Sequence, residues 1–394
     1  MKRVLGLISF LLAIQFLSGC DTGTTSMEKS DEVTVSDAEL AGNPFRQDWE
    51  TPYGVPPFSD IENSDYLPAI KKAILEMRDE IQTIVSNSEE PTFANTIVAL
   101  ELAGQSLNKV SRTFGNITGT DTDEELRSLE TEIYPMLTRE YDAISLNEVL
   151  YDRVKKVYDS RESLGLNEQD SRLLELTHRS FIRSGAAFSP DVKSKIASIN
   201  EEISGLTTKF AQNLLLETKA FRLELKSDEE VSGLSDDFKS AIWDEEKEAW
   251  VVGLNRSSYE SFMVQSNNRS LREKLFNGYR LRATQGDRDN GPIAIQIAKL
   301  RAERAELMGY ESHAHYVLEY NMAKSPQGAE DFLLKVWTPG LEQAKKERAD
   351  MQAMLAGETF QAWDWWHLAE KLRLQRYELD ENQTKPYFKL ENVQ

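Results

Sequence analysis

One long apolar stripe, between Val192 and Leu214, constrains the fold more than any other feature of the sequence. Its members recur at steps of three and four residues: Val192, Ile196, Ile199, Ile203, Leu206, Phe210 and Leu214. Ser189 and Pro190 precede it as a capping residue and a first-turn proline, so the pattern predicts a helix. Its apolar face needs helical partners along about six turns, much as in a coiled-coil hairpin. Other apolar stripes in the chain can provide these helical partners, which favours intramolecular packing over a dimer.

Similar stripes fill most of the remaining chain, so the predicted fold class is mainly α. They begin near Leu67 and Phe93, and Asn167 is placed to cap a further helix. Residues 43–58 hold four of the twelve prolines and cannot be helical throughout, so they are predicted as an extended strap over the helices.

A small antiparallel β element is predicted near residues 220–254. Phe221, Leu223 and Leu225 alternate with charged residues, which is typical of a half-buried strand. Residues 249–254 offer a partner strand, with a short helix between them.

A helix, a tight corner and a second helix are predicted between Asp289 and Lys324. Asn290 or Gly291 is placed to cap the first helix. Gly309 is placed to end that helix in a left-handed conformation, and Ser312 to cap the next one. Ser325 and Pro326 then form another helix start.

Residues 1–20 are predicted as a targeting leader and residues 21–42 as a flexible tether. Lys2 and Arg3 precede an apolar run that is too short to span a membrane. The run ends in Leu-Ser-Gly-Cys, which resembles the lipobox of bacterial lipoproteins, so Cys20 is the predicted lipid attachment residue. The alternative is a secretory peptide with a chance cysteine. With lipid on Cys20, the expected location is the bacterial cell envelope, anchored to a membrane on its periplasmic side or at the cell surface.

The formal net charge of −20 argues against nucleic acid as a partner, because phosphates would be repelled. It also disfavours docking on anionic lipid through a basic patch. Solubility is the simplest explanation of the charge.

Several stretches in chain order carry a family resemblance. They are Asn43-Pro44-Phe45, Tyr53 to Phe58, Asn268-Arg269 with Arg272-Glu273-Lys274, Leu300-Arg301, Ala305-Glu306-Leu307, Gly309-Tyr310, Met322 to Pro326, Trp363 to Trp366, and Pro386-Tyr387-Phe388. Together they resemble the thimet oligopeptidase-type zinc metallopeptidases, and most nearly the bacterial peptidyl-dipeptidase (dipeptidyl carboxypeptidase) branch. The resemblance covers residues 43–394 and only the amino-terminal part of the family pattern. It implies an elongated helical lobe of a two-lobed, channel-type peptidase.

The zinc motif of that family is absent from this sequence. The resembled enzymes need a His-Glu-x-x-His helix, whose two histidines bind zinc and whose glutamate is the general base. The four histidines here are His178, His313, His315 and His367, and none begins that motif. We therefore predict no catalytic residue and no zinc ligand in this chain, although the complete family enzyme requires zinc.

The remaining histidine arrangements do not predict a metal site. His313 and His315 would project about 200° apart on a helix, so they cannot share one ion. His367 and Glu370, three residues apart, offer two ligands without a third and are interpreted as a surface contact.

Trp363, Trp365 and Trp366 form the one concentrated aromatic segment. They form either a peptide-binding platform in a channel or packing around a helix start with Asp364 near its cap, and packing is the favoured interpretation. We expect exposed apolar surface in this region.

Two functions follow from these patterns. The first is an amino-terminal fragment of a lipid-anchored zinc peptidyl-dipeptidase, which supplies channel wall and scaffold for oligopeptide substrates and is inactive without a carboxyl-terminal catalytic region. The alternative is a non-catalytic envelope lipoprotein that binds peptides or a partner. The first is favoured, because a missing region would leave apolar surface exposed, and such surface is normally covered by another part of the protein.

Overall fold

The computed structural model describes residues 33–378 and 387–393. The helices of the first half are α1 (Asn63–Val85), α2 (Ala99–Leu102), α3 (Gln105–Thr120), α4 (Glu124–Ser145), α5 (Glu148–Asp159), α6 (Glu168–Ser184) and α7 (Pro190–Ala220). Those of the second half are α8 (Asp236–Ala241), α9 (Arg256–Gln265), α10 (Arg269–Arg280), α11 (Gly291–Leu307), α12 (His313–Leu318), α13 (Pro326–Ala353), α14 (Trp365–Tyr377) and α15 (Leu390–Val393). The strands are β1 (Leu223–Leu225), β2 (Trp243–Asp244) and β3 (Ala249–Val252). The predicted class, mainly α with one small antiparallel β element, is confirmed.

The predicted leader, with Cys20, and the first part of the predicted tether lie outside the described residues. The rest of that tether, residues 33–42, is in contact with the helical body. Val33 and Leu40 are buried there, because apolar side chains lose water contact when they pack on the helices. Packing of the chain therefore begins before Asn43.

The first core lies among α1, α3, α4, α5 and α6. Its fully buried side chains include Ile70, Ile74, Phe114, Ile133 and Leu150. Burial of each such side chain is worth roughly 1.5–3 kcal/mol. The caps are local: Asp123, Asn147 and Asn167 accept hydrogen bonds from the first turns of α4, α5 and α6. The predicted cap at Asn167 is confirmed.

Helix α7 packs against other helices of the same chain, as its stripe predicts, although only Ile196 and Ile199 of that stripe are buried. Its partners are α4 and α11. Asn213 of α7 is buried and donates to Asn290, whose own amide donates to the Phe210 carbonyl oxygen at 2.9 Å. Asn290 does stand at the N-cap position of α11, but its side chain links two helices instead of capping one. The start of α11 is therefore fixed to α7 by a satisfied buried amide pair.

The predicted helix corner is present. Gly309 has a φ of +79°, and Ser312 accepts a hydrogen bond from the His315 N–H at the start of α12. Helix α13 begins at Pro326, directly after its cap Ser325. All these signals act within three or four residues of where they stand.

The sheet has the order β1-β3-β2, with both pairs antiparallel. Leu223 and Leu225 are fully buried and Glu224 between them is exposed, as alternation along a strand requires. Strand β2 was not predicted, because two residues are too few for a periodic signal. The sheet, α9 and α10 enclose the second core.

Candidate peptide-facing surface around the tryptophan segment

The tryptophan segment runs from a short 3₁₀ turn, Ala362–Asp364, into α14. Asp364 is fully buried, and its two carboxylate oxygens accept hydrogen bonds at 2.9 and 2.7 Å from Arg269. Arg272 adds a third at 3.1 Å, and the Gln361 N–H a fourth at 3.0 Å. Both arginines lie on α10, so this carboxylate fixes the segment to that helix.

Asp364 stays ionised in this environment. Burial alone would raise the pKa of its carboxyl group, but Arg269, the Gln361 N–H and Arg272 together hold that pKa below its ordinary value of 3.8. The sequence places Asp364 next to the helix cap, yet its side chain makes no capping bond to α14. The carboxylate serves a buried ion-pair network instead.

Two of the three tryptophans are partly buried and pack against the hydrophobic cores. The Trp363 ring is 6.1 Å from Phe276 and belongs to the second core. The Trp365 ring is 6.0 Å from Phe360, in a smaller core formed with α13. These contacts correspond to the packing interpretation of the segment.

Trp366 differs from the other two because 39% of its surface is exposed. It stands edge-on to Tyr259 at 6.5 Å and lines a cavity of about 470 Å³. Tyr279, stacked on Tyr259 at 4.1 Å, and Arg282, 3.8 Å above the Tyr279 ring, also line that cavity. Trp366 is therefore the most exposed of the three tryptophans, and its ring lies at the edge of a cavity.

His367 is a core residue and not a surface contact, so the earlier interpretation of its pairing with Glu370 is wrong. Its exposed fraction is 5%, and its Nδ1 lies 2.9 Å from the Val264 carbonyl oxygen. That oxygen only accepts, so Nδ1 carries the proton. Burial lowers the pKa of His367 to about 4, despite the opposing effect of that hydrogen bond. Glu370 binds Arg373 instead.

The other three histidines do not lie close together either. His178 stacks on Tyr158 with ring centroids 3.8 Å apart. His315 pairs through Nδ1 with the Ser312 hydroxyl group, and the buried Nδ1 of His313 has no described hydrogen-bond partner. Across residues 33–378 and 387–393, no three His, Cys, Asp or Glu side chains group closely enough to hold a metal ion. The described residues therefore do not fit a zinc site.

Exposed apolar surface is concentrated on α13 and not, as expected, at the tryptophan segment. On α13, Phe332, Leu333, Val336 and Trp337 are each at least 60% exposed. At about 100° per residue these four side chains share one broad face of the helix, and an exposed apolar face of this size is normally covered by other structure. The tryptophan segment exposes mainly Trp366, so the expected place of the exposed surface was mostly wrong.

Sequence reasoning missed a polar cluster between α4, α7 and α11. Asp142 accepts hydrogen bonds at 3.0 Å from the Asn200 amide, and Asn200 accepts one at 2.6 Å from Arg304. These residues are 58 and 104 positions apart in the chain, and no motif connects them.

The part of the chain that the structure describes contains no helix with both the length and the apolar character needed to cross a bilayer.

Comparison with known proteins gives one consistent result. Residues 262–394 match the sequence pattern of Peptidase family M3. The chain is 33% identical to the dipeptidyl carboxypeptidase of Escherichia coli over 361 residues, 89% of this chain and 53% of that protein. It is 27% identical to the organellar oligopeptidase A of Arabidopsis thaliana over 92% of this chain and 47% of that protein. The chain thus spans about half the length of the curated relatives it matches.

Proposed function

We propose that this chain, a relative of the M3 peptidases, forms the helical scaffold of a peptidyl-dipeptidase. Such an enzyme releases dipeptides from the carboxyl ends of oligopeptides. The observation that carries the proposal is the 33% identity with a dipeptidyl carboxypeptidase along 89% of this chain. The mainly helical fold around several packed cores is consistent with a rigid wall that confines a peptide.

In this proposal the zinc-binding helix comes from polypeptide outside the described residues. Zinc, when bound, polarises the scissile carbonyl group and activates water. No residue described here fits the metal, so no step of the reaction is assigned through it. The described residues have a structural role. Asp364 and its two arginines hold the tryptophan segment in place, and Trp366 faces the adjoining cavity.

We further propose that lipid on Cys20 anchors the protein to a membrane of the bacterial cell envelope. The support is the Leu-Ser-Gly-Cys sequence after an apolar run with a basic start. Metabolic labelling with a radioactive fatty acid tests this directly. Label is expected in the wild-type chain and absent from Cys20→Ser, and label retained by the variant would contradict the anchor.

A second candidate function is a non-catalytic envelope protein that binds a partner through α13. The favouring observation is the exposed group of Phe332, Leu333, Val336 and Trp337. This alternative requires a chain that stays monomeric and soluble until the partner arrives. In the scaffold proposal, the same face is covered by the zinc-bearing part of the peptidase.

A chimeric enzyme tests the scaffold proposal. Residues 33–394 replace the segment that they match in the E. coli dipeptidyl carboxypeptidase, whose remaining part supplies the zinc motif. The chimera is expected to release a dipeptide from an amino-blocked tripeptide, and the same chimera with glutamine in place of the motif glutamate is expected to be inactive. A folded, zinc-loaded chimera that releases no dipeptide would contradict the scaffold role.

A further inference from the structure

Two adjoining cavities form a continuous trough along α4 and α7. The larger holds about 720 Å³ and the smaller about 400 Å³. They share Thr138, Tyr141 and Ser204 in their walls, so one leads into the other. Each lies within the roughly 300–1,000 Å³ typical of sites for small ligands.

The two ends of this trough differ in chemistry. The larger cavity is lined mainly by small and apolar groups, among them Gly115, Gly119, Leu137, Ala211 and Leu215. The smaller one is polar, and its walls include Asp142, Arg183, Asn200, Arg304 and Tyr316. A ligand that fills both needs a polar head and a narrow, largely apolar extension.

The Asp142 carboxylate at the polar end is short of partners. Its only described hydrogen-bond donor is the Asn200 amide, which reaches both oxygens at 3.0 Å. An ionised carboxylate can accept about four hydrogen bonds. No lysine, arginine or histidine of the described chain lies within ion-pair distance of it. A half-satisfied, partly buried carboxylate of this kind favours a cationic donor.

The arginines of this region make their described contacts with groups other than Asp142. Arg304 donates to the Asn200 side-chain oxygen at 2.6 Å, and Arg139 pairs with Glu201 at the same distance. Arg183 donates to Glu319 and to the Tyr316 carbonyl oxygen, both at 2.7 Å. Arg304 acts on Asp142 only from behind Asn200, so a cation in direct contact with the Asp142 carboxylate would have to be supplied by a ligand.

We propose that this trough binds the amino-terminal end of a short peptide, with the α-ammonium group on Asp142 and the next residues along α4 and α7. An ammonium group supplies three donors to the unfilled carboxylate oxygens. A ligand carboxylate at that position would meet Asp142 itself, a like charge. A metal ion would find one carboxylate where at least three ligands are needed.

The choice of a peptide over another amine rests on the proposed function, which makes oligopeptides the molecules at hand. The ammonium subsite itself rests only on the cluster. The trough contains none of the zinc chemistry, so peptide binding here and dipeptide release by the chimera are separate readouts. Either can fail while the other succeeds.

The site has a defined pH dependence. Burial raises the pKa of Asp142 to about 6, with Asn200 and Arg304 opposing the rise and Glu201 adding to it. The peptide ammonium group titrates near pH 7.7–8.0. Both partners are charged together only in the interval between, so affinity should be highest near pH 7 and fall on either side. The other ionisable groups in the walls of the two cavities are Arg183, which pairs with Glu319, and Tyr316, Tyr141, Tyr134 and Glu130.

Calorimetry with the purified full chain at pH 7 tests the proposal. The probes are Ala-Leu-Ala-Leu amide with a free amino terminus and the same peptide with an acetylated one. The free peptide is expected to bind at least about tenfold more tightly, the scale of a lost hydrogen bond to a charged group. Asp142→Asn should remove that preference, and the exposed acid Asp152→Asn should keep it.

Three outcomes would overturn the proposal: equal affinity of the two peptides, a preference that survives Asp142→Asn, or butylamine binding where the free peptide does not bind. The comparison of the two peptides uses the unaltered chain, so it holds even where a variant fails to fold. A free-peptide affinity that does not fall from pH 7 to pH 5 would also contradict the role of Asp142.

Discussion

Asp364 holds two arginine side chains at once, and one of them is almost without access to water. The exposed fraction of the Arg272 side chain is 4%, against 28% for Arg269. Without the carboxylate, Arg272 would stay charged and desolvated with no ionic partner. An uncompensated buried charge of this kind costs more than the intact pair contributes. The residue therefore acts through stability and not through a reacting group.

Asp364→Asn should lower the free energy of unfolding by roughly 3–5 kcal/mol, the usual cost of breaking a buried ion pair. Urea denaturation at pH 7 measures it. The matched control is Asp350→Asn, whose partner Arg376 is about half exposed, so that change should cost no more than about 1 kcal/mol. Equal effects of the two variants would show that the Asp364 network contributes no more than a surface pair.

His367 makes stability depend on pH, and the sign follows from its depressed pKa. Its pKa is about 4 in the folded chain and 6.5 in an unfolded reference. Above pH 6.5 both states are neutral at this residue. As the pH falls from 6.5 to 4, the unfolded state takes up the proton first, so the folded state loses stability in that interval.

His367→Phe should therefore reduce the stability lost between pH 7.5 and pH 4.5, by up to roughly 3 kcal/mol. The measurement is the difference between the free energies of unfolding at the two pH values. A pH dependence identical in His367→Phe and the unaltered chain would contradict a neutral, buried His367.

Among the helices, α13 has two unlike halves. Its first half exposes Phe332, Leu333 and Trp337, whereas Met351 near its end is 1% exposed and packs on α14. An apolar side chain that touches little in the chain adds little to folding stability, but it does promote association. The two halves should therefore respond differently to the same change.

Trp337→Glu should leave the free energy of unfolding within about 0.5 kcal/mol of its original value and reduce self-association. Met351→Glu, on the same helix, should destabilise the chain strongly, because it buries an unpaired charge. Denaturation and sedimentation velocity measure the two effects. A large loss of stability in Trp337→Glu would mean that the exposed half is packed in solution.

How far the sequence predicts each element depends on how local its cause is. The caps at Asn167, Ser312 and Ser325 were predicted, because a cap acts on N–H groups two or three residues away. The α7 stripe was predicted for a similar reason. The exposed half of α13 was not, because an apolar stripe looks the same whether its partner is present or absent.

The candidate sites show the same limit. Arg272 and Asp364 are 92 positions apart, and Asp142 and Asn200 are 58 apart. Only the tertiary fold brings each pair together, so neither the ion-pair network nor the trough has a sequence signal. His367 was misassigned because three-residue spacing to Glu370 says nothing about which helix face is buried.

At the scale of the whole molecule, the described residues provide a scaffold, and the proposed zinc chemistry lies outside them. The sequence has no His-Glu-x-x-His, and the chain covers about half of each relative it matches. The described residues build packed helical cores, a fixed tryptophan segment and a trough, and each of these can exist without zinc. Zinc binding by the isolated chain therefore distinguishes a scaffold without a metal site from a chain that holds the metal site itself.

The most direct measurement is the zinc retained per purified full chain after equimolar loading and gel filtration, read by elemental mass spectrometry. We predict retention far below one zinc per chain and no release of a dipeptide from a blocked tripeptide by the same sample. One tightly held zinc per chain, together with dipeptide release, would contradict the assignment of the metal site to polypeptide outside the described residues.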